Sequence, residues 1–264
     1  MFDFMYQLPD SLLFIFCVMV VGLITVLSWG AIWLFRLAWP NRRGTAMVNT
    51  MLSGILLPAG LVIAFVASDV WQQENRGRIA VEQEAIAVSD TLRVAQHLPP
   101  ELLDQATGLV SDYIREVVEQ EWPLMGNGQS SAKAESLLDA LEQTSVQVDV
   151  AAADAGPERT GWRLAAMDLR HYTQEIEKAR NQRLLVASGK VVATKWIAVL
   201  VLLFVAACVI CELHALQRRA MVLALILFSL GFGATLYLIA SYDRPFTGST
   251  IIQPRSLTLM LLKN

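Results

Sequence analysis

Four stretches of this chain are too apolar, for too long, to fold in water. Residues 12–39 run for 28 positions interrupted only by Arg36. Three further runs cover about 45–70, 193–213 and 220–241. Some 20 residues of helix, roughly, cross the hydrocarbon core of a bilayer, so each run is long enough for one span. A helix satisfies its own backbone N–H and C=O groups, which lipid cannot do, so these runs read as transmembrane helices. The first run does not read as a signal peptide. No Lys or Arg precedes it, and it far exceeds an apolar core of about 7–15 residues. Tyr6, Trp33 and Trp39 suit the two membrane interfaces. The connections at 40–44 and 214–219 are short, so each pair of spans forms an antiparallel hairpin.

Charge is gathered between the hairpins. Residues 72–190 carry 12 Lys and Arg against 19 Asp and Glu, and the rest of the chain carries 9 against 5. This middle reads as all helix. Past Trp71 the pattern continues through Ile79, Ala85, Ile86 and Leu92 to Pro99-Pro100, so the second span is expected to run on as a stalk. Pro100 opens a helix, where its missing N–H costs nothing. In that helix Leu102, Leu103, Ala106, Leu109, Val110, Tyr113, Ile114, Val117 and Val118 recur at helical spacing. Trp122-Pro123 is expected to end it, with a loop over 124–131. A third helix carries Leu137, Leu138, Leu141 and Val148. A last one, starting near Pro157, is expected to feed into the third span. The division this predicts is a first hairpin (1–71), a helical extramembrane domain (72–190), a second hairpin (191–243) and a docking tail (244–264). So small a domain leaves helix faces uncovered, which favours a homo-oligomer over a monomeric bundle in which both hairpins fold back together.

Several motifs stand out along the chain. Phe65-Val66-x-Ser68-x-Val70-Trp71-Gln72 closes the second span, and Val81-Glu82-x-Glu84-Ala85 and Leu98-Pro99 lie on the stalk. Tyr113-x-x-x-Val117-Val118-x-x-Glu121-Trp122-Pro123-x-Met125 closes the next helix, and Ala179-Arg180-x-x-Arg183-Leu184 precedes the third span. Asp243-Arg244-Pro245-Phe246-x-Gly248 follows the fourth, with Pro254 after it. Together these motifs cover nearly the whole chain, and in them it resembles the bacterial bestrophin-like membrane proteins, a family of unknown function named for its likeness to bestrophin anion channels.

The resemblance implies a four-span, bestrophin-like, all-α subunit of a homopentamer. It also implies a cytosolic helical domain between spans two and three, and a second span that lines the pore. It places the protein in the inner membrane of a bacterium, with monovalent ions as what passes. At about 100° per residue, Gly54, Pro58, Leu61, Phe65 and Gln72 share one face of the second span, with Asp69 at its edge. Leu61 and Phe65 could then form apolar rings that gate by dewetting. The alternative is that both face lipid or core. Gly60 and Ala64, beside that face, permit close helix packing. A ring of Asp69 carboxylates would favour cations, unless Asp69 faces lipid headgroups or pairs with Arg76 or Arg78. Pro245 ends the fourth helix, Asp243 and Arg244 sit at the interface, and the tail is expected to dock, on a neighbouring subunit among the options.

Other chemistry is thin. His97, His171 and His214 are scattered. Cys208-x-x-Cys211 has redox or metal spacing but lies inside a span, where packing accounts for it. No phosphate loop or nucleophile elbow appears. Glu82 and Glu84 read as solvated stalk surface. No metal, cofactor or catalytic residue is assigned, and with no basic surface no nucleic-acid partner is expected. Short loops carry Arg36, Arg42, Arg43, Arg218 and Arg219. Ten Lys and Arg near the membrane or in the tail lie on the other side, which leans towards a cytosolic domain. An ion channel is the leading reading. A membrane-anchored scaffold or sensor whose helical domain binds a partner, without conductance, is the other.

Overall fold

A computed structural model describes residues 9–38, 46–154, 160–189, 191–247 and 251–261. Among them every regular element is helical. Helices α1 (Asp10–Ala38), α2 (Ala46–Ala95), α7 (Ala193–Leu213) and α8 (Arg218–Tyr242) include the four segments apolar enough to cross a membrane. Between them lie α3 (Pro100–Glu116), a π-helical turn (Val117–Glu121), α4 (Trp122–Met125), α5 (Ala132–Asp154) and α6 (Thr160–Ser188). The short α9 (Arg255–Leu261) closes the described chain. The chain divides into two compact units, one of residues 1–72 and 190–250 and one of residues 73–189 and 251–264. The expected stalk is present as a single helix, α2, 50 residues long.

In the first unit, α1 packs chiefly on α8 and α7. Leu13, Cys17 and Val21 recur every fourth residue, so they form one stripe along α1. They meet Val199, Leu203, Ala206, Ala207 and Ile210 of α7 and Phe228, Leu236 and Ile239 of α8. Ile63, Val66 and Val70 bring α2 into the same cluster. The Ser28 hydroxyl donates to the carbonyl of Ile24 at 2.8 Å and to that of Phe204, on α7, at 3.1 Å. At Gly233 the backbones of α8 and α1 nearly touch, for a Cβ there would lie 2.7 Å from Cα of Val18. The outward faces carry Ile15, Met19, Leu23, Leu27 and Trp33, exposed as a lipid-facing helix requires.

In the second unit, α5 packs on α6 and α3, and α9 on α3. Val81 and Val88 of α2, Val110 and Ile114 of α3, Leu141 and Val148 of α5, and Leu169 and Ile176 of α6 are buried there.

Two expectations about helix ends fail. Trp122-Pro123 does not stop the helix. A π turn absorbs one extra residue ahead of it, and Pro123 then sits in the first turn of α4, where it needs no N–H partner. Nor does α6 run into the third span. It ends at Ser188, and the Gly189 N–H bonds back to the carbonyls of Leu185 and Val186, both at 3.1 Å. The stretch around Pro157, where the last helix was expected to start, lies outside the described residues, and α6 is described from Thr160.

Candidate functional site

The two sides of α2 differ sharply. Ala59, Ile63, Val66 and Val70 are buried within the first unit. Gly54, Leu57, Leu61, Phe65 and Gln72 lie on the opposite side and are exposed, Leu61 by 56% and Phe65 by 65%. At about 100° per residue the two sets are centred roughly half a turn apart. Gly60 and Ala64 are exposed as well, and nothing lies within 4 Å of a Cβ built on Gly60 or Gly54. The Gln72 amide donates to the Ser68 hydroxyl at 3.1 Å.

Asp69, at the edge of that face, pairs with neither Arg76 nor Arg78. Its Oδ2 lies 2.5 Å from Nζ of Lys195 in the first turn of α7, while Arg78 bonds Glu74. The reason is geometric: Arg76 and Arg78 project from later turns of the same helix, whereas Lys195 reaches Asp69 from a neighbouring one.

Of the tail motif, Asp243, Pro245 and Phe246 are buried and Arg244 is half-buried, while Gly248 lies outside the described residues. Asp243 Oδ1 accepts the Val191 N–H at 2.7 Å, fixing the chain as it turns into α7. The described part of the tail packs on its own chain. Ile252 and Leu257 are buried, and the Ile252 carbonyl accepts the Trp122 indole N–H at 3.0 Å.

The densest chemistry lies in the second unit. Glu84, contrary to its reading as solvated surface, is fully buried. Its carboxylate accepts from Arg183 Nε at 2.6 Å, from Arg183 Nη2 at 2.9 Å and from the Tyr113 hydroxyl at 2.7 Å. Arg183 Nη2 also donates to Glu121 at 2.8 Å, and Arg180 Nη2 donates to Glu121 at 2.6 Å and to the Ser131 carbonyl at 2.9 Å. The Ser131 N–H donates to Glu121 at 2.9 Å, and the Trp122 ring lies 4.9 Å from the Arg183 guanidinium. Two carboxylates thus face two guanidiniums, and the buried charge sums to zero. Burial works to raise the Glu121 carboxyl, but the Arg180 hydrogen bond and the Arg183 charge outweigh it, and it is held below the usual carboxylate range. Burial, then the Glu84 carboxylate, push the Tyr113 phenol well above its ordinary value. Both arginines lose to burial but gain more from the carboxylates, so they stay charged.

The sequence reading has Glu121, Arg180 and Arg183 in family motifs, Glu84 also as stalk surface and Tyr113 also on an apolar stripe, and does not bring them together. The available signal was charge on an apolar stripe. Arg180 and Arg183 fall four and seven residues after Ile176, and Glu84 falls three after Val81. Among the described residues no group of His, Cys, Asp and Glu side chains could hold a metal ion. Cys211 is buried against apolar neighbours of the first unit.

The sequence pattern that defines the bestrophin-like domain matches residues 22–257. No curated protein matches by sequence. Among solved structures, the zinc-phased crystal structure of a bacterial bestrophin homologue from Klebsiella pneumoniae superposes with a TM-score of 0.66 at 13% identity, covering 94% of this chain and 95% of that one. A singly substituted form of that homologue gives a TM-score of 0.67 at 10% identity, covering 95% and 96%.

Proposed function

Because this chain belongs to the bestrophin-like family, we propose that it assembles as a homopentamer and conducts monovalent ions passively, with α2 of each subunit lining the pore. The uncovered face of α2 carries this reading. The lipid-facing side of α1 is lined by large side chains such as Ile15, Met19 and Leu23, whereas the exposed side of α2 also carries Gly54, Gly60 and Ala64. Here Leu61 and Phe65 stand one turn apart, beside the small residues Gly60 and Ala64 that let a second helix approach closely. Around a fivefold axis Leu61 and Phe65 would form two apolar rings, narrow enough to exclude water when closed. Assembly is further supported by the polar unit, where Val146, Val150, Leu164, Met167 and Leu185 are exposed on α5 and α6.

The protein is a multi-pass membrane protein, and the inner membrane of a bacterium is its proposed place, with the helical unit in the cytosol. The count of Lys and Arg, five in the short loops against ten on the other side, supports that sidedness. Native mass spectrometry from detergent tests the assembly, and current across planar bilayers in asymmetric salt tests the conduction. A clean monomer would remove the pore. A pentamer silent under every condition, even with Leu61 and Phe65 cut to Ala, would turn the reading to a scaffold or sensor.

A further inference from the structure

The membrane unit holds a charge pair that its packing does not require. Asp69 and Lys195 meet at 2.5 Å with side-chain exposures of 41% and 43%. A pair this open to solvent contributes little to stability. Lys195 also sits in the first turn of α7, where the helix dipole disfavours a cation and favours the carboxylate facing it. A long cationic side chain at the end of a span ordinarily snorkels to the interface, whereas Lys195 is turned onto the Asp69 carboxylate of the neighbouring helix.

Asp69 follows Phe65 by one helical turn, on the edge of the uncovered face of α2. On the reading that this face lines a pore, the pair stands at the mouth next to the narrow segment. We propose that Lys195 is a selectivity-determining residue of that mouth, setting it jointly with Asp69 as a ring of alternating and balanced charge. Each subunit supplies one carboxylate and one ammonium, so the ring is neutral at any copy number. An Asp69 ring alone would repel chloride and concentrate cations, and the ammonium ring cancels that field at close range. The intact mouth therefore discriminates only weakly between potassium and chloride. Removal of either partner leaves a ring of one sign, and the Coulomb terms of several like charges within a few ångströms of the path add.

The test is the reversal potential in asymmetric potassium chloride, in planar bilayers. It is recorded for the wild type and, for a pore held open, in a Leu61→Ala/Phe65→Ala background. Asp69→Asn should favour chloride, and Lys195→Met potassium, each by about tenfold or more in permeability ratio. The double variant Asp69→Asn/Lys195→Met and the charge-keeping Lys195→Arg should both stay near the parent. The single effects should shrink as salt is raised, since both groups are solvent-accessible. Unchanged elution on size exclusion confirms that each variant assembles. Current that persists with the parent's reversal potential in Lys195→Met overturns the role of Lys195 and leaves the channel standing. Absence of current from every protein, open background included, overturns the pore and this proposal with it.

Discussion

Replacing Arg183 by Leu removes a fully buried cation that makes three hydrogen bonds to two carboxylates, at 2.6, 2.9 and 2.8 Å. What remains is unequal. Glu121 keeps Arg180 and the Ser131 N–H, whereas Glu84 keeps only the Tyr113 hydroxyl. The variant thus strands one buried negative charge, on Glu84. Breaking a buried pair from one side costs about 3–5 kcal/mol. For a chain of this size each kcal/mol moves Tm by about 2–4 °C, so the expected fall is roughly 10 °C. Tryptophan fluorescence of the protein in detergent, heated at a fixed scan rate, reads it as an apparent Tm. The geometry also says which second change restores stability. Glu84→Leu in the Arg183→Leu background removes the stranded charge and leaves the Glu121–Arg180 pair intact, so most of the loss should return. Glu121→Leu in the same background strands both Glu84 and Arg180, so Tm should fall further. Equal rescue by the two, or an Arg183→Leu loss of under about 1 kcal/mol, would refute a balanced four-charge cluster.

Gly233→Ala should cost about 1–3 kcal/mol, because its Cβ would lie 2.7 Å from Cα of Val18, whereas Gly231→Ala, with nothing within 4 Å, should be nearly neutral by the same melt. The pH profile of apparent Tm should have two limbs. Glu121 has its carboxyl lowered from an ordinary 4.5, so its contribution is complete above that pH and is lost as pH falls through the folded-state value. Tyr113 has its phenol raised from 10.0, so stability holds below pH 10.0 and declines above it as the unfolded chain gives up the proton first. Tyr113→Phe should flatten the alkaline limb while lowering the plateau by about 1 kcal/mol, and a variant with the alkaline fall intact would show that another group causes it. Trp122→Phe leaves the Ile252 carbonyl without its indole donor. Hydrogen exchange across 251–261 should speed up about fivefold to tenfold relative to α3, and unchanged exchange would mean that the tail is held by its apolar side chains alone.

The spans were legible because hydropathy over 20 or so residues is a local property that packing cannot reverse. The stalk was legible for a related reason: no proline lies between Val70 and Ala95, and the single Gly77 is tolerated inside a helix. The ends of the extramembrane helices were less so. Pro123 reads as a stop unless one knows that a π turn precedes it, and Gly189 looks no more decisive than other glycines until its N–H is seen bonded to Leu185 and Val186. The charge cluster was hidden because its members come from α2, the π turn and α6, and Glu84 and Arg183 stand 99 residues apart. Each member looks like helix surface when read alone. Asp69 invited a partner from its own helix, yet the one it has lies 126 residues away. Sequence spacing identified a charge at the edge of the α2 face but could not say what neutralises it.

Current through single assemblies of the Leu61→Ala/Phe65→Ala protein, set against the wild type in planar bilayers, tests most directly whether the uncovered face of α2 is a pore. Ile15→Ala/Met19→Ala, on the exposed face of α1, serves as the lipid-facing control. Loss of two apolar rings lowers the cost of hydrating the narrow segment. The variant should therefore show severalfold higher open probability or unitary conductance, and the α1 control should match the wild type. Equal currents from all three proteins, or none from any of them, would contradict a pore lined by Leu61 and Phe65.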